Sequence, residues 1–91
     1  MAATGGAEML RKIDHARRMA RFYHVEVVPT LFGEWCVRRE WGRIGGASRV
    51  MLETVASRAA AEALAARRLG AKRRRGYVPL SVSVPGSAAG P

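Results

Sequence analysis

Acidic side chains are scarce in this chain, and after Glu62 there are none. Seven Asp and Glu stand against sixteen Lys and Arg, leaving a net charge of +9. An excess of that sign points to a polyanionic partner, and nucleic acid is the default one. Lysine is nearly missing too, at two residues against fourteen arginines. A guanidinium fork suits phosphate better than a point-like ammonium; GC-rich coding, in which alanine, glycine and arginine rise together, is a competing source of the same bias. Cysteine occurs once, at Cys36, which excludes an internal disulfide. No second thiol or nearby histidine completes a metal-ligand spacing around it. No apolar run reaches the roughly 18 residues of a membrane span. Met1 to Glu8 lacks the basic start and apolar stretch of a signal peptide. The expected location is reducing and cytoplasmic, at the nucleoid in a bacterial cell.

The inventory of reactive groups is equally thin. Ninety-one residues hold one domain, a modest core and little room for a deep catalytic cleft. No P-loop, Ser-His-Asp set or paired carboxylates occur, and His15 and His24 have no Cys or carboxylate at ligand spacing. No enzymatic activity, metal or cofactor is expected.

What is present is strand pattern and one helix. Residues 1–8 read as a loose tail and 79–91 as an extension with little to bury, leaving a domain at 9–78. Met9 to Asp14 is a short strand, followed by a basic loop through His15, Arg17 and Arg18. In Arg21 to Val28, Tyr23, Val25 and Val27 share the apolar face that belongs to a core. Pro29 ends that strand because it has no N–H for the ladder. Trp35 to Ile44 is mixed: Trp35 and Val37 share parity with Arg39, Trp41 and Arg43. Either a bulge shifts the register or that face opens to solvent at its far end. Gly45-Gly46 turns the chain into a strand from Ser48 to Val55. Ser57 then caps an alanine-rich helix whose thin stripe of Ala61, Leu64, Ala65 and Leu69 must lie close to a sheet. Gly70 either ends this helix or weakens it. Leu80 to Val84 offers a further edge strand. The fold class is α+β: a small antiparallel sheet of about four strands with one α-helix packed on it.

Trp41-Gly42-Arg43 is the most telling stretch. On a strand, an indole and a five-donor guanidinium two residues apart point to one side. Gly42 between them lets another backbone approach closely. A stacking surface beside a phosphate fork is what a nucleic-acid end or backbone requires; the alternative is a core tryptophan with an arginine lying over it. The run Arg67, Arg68, Lys72, Arg73, Arg74, Arg75 holds more cations than helix capping needs, and Arg17, Arg18 and Arg21 form a smaller cluster. Tyr77 is equally suited to packing and to stacking on a base.

Four blocks in order resemble the WGR domain of poly(ADP-ribose) polymerases and short bacterial proteins: Arg21-Phe22-Tyr23, Leu31-Phe32-Gly33-Glu34-Trp35, Arg39-Glu40-Trp41-Gly42-Arg43-Ile44-Gly45 and Lys72-Arg73-Arg74-Arg75-Gly76-Tyr77. The resemblance implies that Trp41 packs on a terminal nucleotide, Arg43 holds phosphate and Gly42 gives clearance. It also implies non-enzymatic DNA binding, since those polymerases carry their chemistry in a separate domain. The sequence departs from the family at Arg18, where bacterial members often have asparagine, and at Arg38, where an apolar residue is common. Arg38 is expected to be exposed or paired with Glu26 or Glu40. The expected interface is Trp41, Gly42, Arg43, Arg39, Arg18, Arg21, Lys72, Arg73, Arg74, Arg75 and Tyr77. With about six phosphates neutralised, affinity should fall about 10³-fold or more between roughly 50 and 200 mM salt. RNA binding and docking on an acidic protein through the same face are the alternatives.

Overall fold

Alternating burial along the second strand shows how the sheet is built. The computed structural model describes residues 6–79 of the chain. Strands β1 (Gly6–Asp14), β2 (Met19–Pro29), β3 (Trp35–Arg43) and β4 (Ser48–Val55) form an antiparallel meander, helix α1 (Arg58–Arg74) crosses one face, and β5 (Val78–Pro79) follows. The spatial order is β4-β3-β2-β1-β5, so the helix carries the chain from one edge of the sheet to the other. In β2, Tyr23, Val25 and Val27 are buried, and they meet Leu10, Val37, Ala61 and Ala65 in the core. Ala61 and Ala65 add only methyl groups, so the helix axis lies close to the sheet.

The mixed faces of β3 are resolved without a bulge. Pairing runs in unbroken register from Pro29 opposite Trp35 to Arg21 opposite Arg43, and on β3–β4 from Trp35 opposite Val55 to Gly42 opposite Ser48. The face is continuous, and the helix covers only part of it. Arg58 lies over the Trp35 ring at the helix start, while Lys72 in the last turn lies over Tyr23. Beyond Tyr23 and Trp41 the last rows of the sheet have no helix above them.

Three boundaries differ from expectation. β1 begins at Gly6, ahead of Met9, because the register with β2 extends to Val27. The helix runs through Gly70 to Arg74, and Lys72, Arg73 and Arg74 of the basic run form its last turn. It stops at Gly76, whose φ of +98° suits glycine. There the Gly76 and Tyr77 amides donate to the Arg73 and Lys72 carbonyls, a Schellman closure. The sheet has five strands, the fifth supplied by Val78–Pro79 against Leu10 and Arg11. The expected strand at Leu80 to Val84 lies outside the described residues. At the other helix end, the Ser57 hydroxyl accepts the Ala60 amide at 3.1 Å, the cap expected from sequence.

Candidate nucleic-acid interface

Strand register, more than sequence proximity, assembles the cations. On the helix side of the sheet, Lys12 faces Arg21 and Arg21 faces Arg43, so three cations lie in file across β1, β2 and β3. The next row inward is Leu10, Tyr23, Trp41 and Arg49. The helix reaches this second row and ends there, leaving Arg21 and Arg43 exposed, while Lys12 is half-buried beside the helix C-cap. Lys72 sits 5.1 Å above the Tyr23 ring and 5.4 Å from the Tyr77 ring. Burial pushes its pKa below the ordinary lysine value, and Arg75, Arg39 and Arg21 push it further the same way. Charge crowding at this end of the sheet is therefore a property of the fold.

Trp41 and Arg43 share this face, with Arg43 exposed and Trp41 half-buried. The indole packs on the edge of the core, 6.3 Å from Tyr23 at a 40° tilt, with the Arg39 guanidinium 5.3 Å from its centroid. Core packing and an accessible rim thus coexist in one side chain. Gly42 points to the opposite face. A Cβ there would meet the Ala47 carbonyl oxygen at 2.4 Å and the Ser48 Cα at 2.9 Å. The close approach read from the sequence is real, but the backbone that approaches is the chain's own, where β3 turns into β4.

The remaining expected residues separate by their partners. Arg39 lies 3.0 Å from Glu53 with its side chain only 14% exposed. Its Nε is buried without an aligned hydrogen bond, while its Nη2 donates to Met51 Sδ at 2.6 Å. Arg68 binds the same carboxylate at 2.5 Å, which lowers the Glu53 pKa. Arg73 pairs with Glu8. Arg74 sits over Gly70, one turn back along the helix. Arg75 is exposed, and its carbonyl accepts Lys12 Nζ at 2.7 Å. The six cations of the basic run are thus fanned around the helix, and two of them are engaged by carboxylates. Tyr77 is half-buried against the core. Arg38 pairs with Glu40 at 3.2 Å on the opposite face, and Ser48 also donates to Glu40. These two bonds, the Ser48 one first, hold Glu40 below its usual pKa.

Arg18 occupies the turn that precedes β2, with φ of +52° and its amide bonded to the His15 carbonyl at 3.1 Å. Asparagine tolerates this left-handed conformation better than arginine does, which supplies a backbone reason for the residue that Arg18 replaces. The turn lies at the same sheet end as the cation row. Sequence reasoning missed Lys12 and Arg49. Their signal was parity: each lies on the Tyr23 face once the β1–β2 and β3–β4 turns fix the register. Among the described residues, no group of three His, Cys, Asp or Glu side chains gathers at metal-binding distance, and no helix is long and apolar enough to cross a membrane.

The architecture is that of a small α+β domain displaying an ordered row of cations beside a half-buried indole. The chain belongs to the WGR domain family, whose model matches residues 7–83. It is 39% identical over 70 residues to the uncharacterized protein y4dW of Sinorhizobium fredii, a match covering 77% of this chain and 34% of that protein. The chain therefore spans about a third of the length of this relative. No solved structure matches it with significance. A WGR domain is consistent with a nucleic-acid-binding module, and no catalytic family is indicated.

Proposed function

We propose that this domain is a non-enzymatic nucleic-acid-binding module. In this reading it grips the phosphates of DNA through the row of cations and favours ends or nicks. The observation that carries the reading is the file of Lys12, Arg21 and Arg43 across neighbouring strands, in register beside Trp41 and beyond the end of the helix. Strands in a sheet are spaced by about 4.8 Å, so the row roots its three cations at close, regular intervals across the sheet. Mutual repulsion makes such a row unfavourable unless an anion neutralises it. The half-buried indole beside it offers an apolar rim to a sugar or terminal base.

Fluorescence anisotropy with 5′-phosphorylated nicked duplex, intact duplex and structured RNA, each across a salt series, tests the proposal. Binding should weaken steeply with salt and favour the nicked duplex. Affinity indifferent to salt refutes phosphate contact. Equal affinity for RNA removes the preference for DNA. Docking on an acidic protein through the same face predicts instead a nuclease-resistant complex with one partner.

A further inference from the structure

The β4 edge is the longest unprotected hydrogen-bonding edge among the described residues. On the opposite edge the two-residue β5, which ends in Pro79, interrupts β1 by pairing with Leu10 and Arg11, and proline is a usual block against strand addition. β4 has eight residues, no proline and unbroken pairing to β3. Its middle exposes Val50 at 49%, Met51 at 46% and Leu52 at 62%.

The direction of its backbone groups follows from the neighbouring ladder. The Thr30 amide donates to the Glu34 carbonyl and the Ile44 amide to the Ala20 carbonyl. Hydrogen-bonded pairs alternate along an antiparallel ladder, so the even-numbered residues of β3 bond to β2 and the odd-numbered ones to β4. On β4, Arg49, Met51, Glu53 and Val55 then face inward to β3. Ser48, Val50, Leu52 and Thr54 turn their N–H and C=O groups outward.

We propose that this edge pairs with the same edge of a second copy, antiparallel, about a two-fold axis through Met51. In this register Met51 opposes Met51 as a non-hydrogen-bonded pair, and Val50 and Leu52 oppose each other as hydrogen-bonded pairs. Arg49 opposes Glu53 twice. Arg49 is the only cation and Glu53 the only acid on β4. Arg49 has no acidic partner within its own chain among the described residues. Moving the axis by one residue either way places both charges opposite uncharged residues. Glu53 already binds Arg39 and Arg68 of its own chain, and Arg49 of the second copy joins them at a carboxylate that has room for a further donor; this contact favours a second copy as the occupant and sets one register. The two-fold axis stands perpendicular to the sheet, so both helices and both cation rows look the same way. An eight-residue edge on each side belongs to the small, reversible class of interface, below about 1,200 Å² in total. The inference does not depend on nucleic-acid binding, but pairing would withdraw Arg49 from the cations available to phosphate.

Sedimentation velocity on the full chain, without nucleic acid, tests it. The protein should show a concentration-dependent monomer–dimer equilibrium. In Leu52→Pro the lost N–H points outward, so the β3 ladder survives. The double variant Val50→Lys/Leu52→Lys sets ammonium groups opposite each other across the axis. Each should raise the dissociation constant by at least about tenfold with an unchanged circular dichroism spectrum. If the proline variant does not fold, the double lysine variant carries the test.

Register is read by oxidation in a Cys36→Ala background. Non-hydrogen-bonded antiparallel pairs bring Cα atoms to about 4.5 Å, within disulfide reach. Met51→Cys should form a disulfide-linked dimer, and Val50→Cys and Leu52→Cys should form far less. A protein monomeric at every concentration, a dimer indifferent to the edge variants, or equal linking at all three positions would overturn the proposal.

Discussion

Replacing Arg43 with alanine separates a phosphate contact from a structural role. Five cations converge on the open end of the sheet: Lys12, Arg21 and Arg43 in file, Arg49 in the next row, and Lys72 from the helix. Arg39 and Arg73 are tied to Glu53 and Glu8, and these five are taken as the phosphate contacts in place of the roughly six expected from sequence. Five neutralised phosphates give a slope of about −4.5 in log affinity against log salt, or about 500-fold between roughly 50 and 200 mM. Removing one contact brings the slope to about −3.6 and the fall over that range to about 150-fold. At low salt the lost charge-assisted contact costs about 1.5–3 kcal/mol. Anisotropy titrations at four or more salt concentrations measure both quantities, and thermal melts should be unchanged because Arg43 is exposed. Arg39→Ala should do the reverse, lowering the melting temperature by removing one of Glu53's two partners and the cation beside Trp41, while leaving the slope near its original value. A slope indifferent to Arg43→Ala, or equal slope changes in both variants, would refute the division of labour read from the ion pairs.

Three further outcomes follow from individual contacts. Gly42→Ala should destabilise the fold by about 1–3 kcal/mol or more in chemical denaturation, because the clash is with backbone that cannot swing aside; an unchanged midpoint would show that the β3–β4 turn yields. Glu53, held below the ordinary 4.5 by Arg68, contributes stability that is complete above that value and lost as pH falls through its lowered folded pKa. Melts across acid pH should show this loss, and Glu53→Gln should flatten the profile at lower overall stability. Lys72 has a lowered pKa, and a bound phosphate would favour its charged form. Affinity should therefore weaken as pH rises into the alkaline range below 10.5, and Lys72→Arg should remove that component of the pH dependence.

The legible parts of this molecule were those written in short-range pattern. Tyr23, Val25 and Val27 alternate cleanly and are buried; Ser57 precedes an alanine run and caps it. The helix boundary was left open at Gly70, which reads as punctuation; its cost of about 1 kcal/mol is outweighed, and the helix closes at Gly76 six residues on. The basic run misled for a geometric reason. Six cations adjacent in sequence are spread by the helical rotation of about 100° per residue, and each then meets whatever the sheet places beneath it. Lys12, Arg21 and Arg43 are far apart in sequence and become neighbours only through register, which no single segment encodes.

Ala61 and Ala65 are the helix residues buried against the sheet, and Lys72 at the far end sits 5.1 Å above Tyr23. A leucine at either alanine would act as a wedge, levering the final turn away from the strands and tipping its ammonium off the aromatic ring. The spacing of the charged end is thus gauged by two methyl groups that no ligand would touch. Homologous chains should accordingly tolerate exchange among the outer cations more readily than growth at these two inner positions.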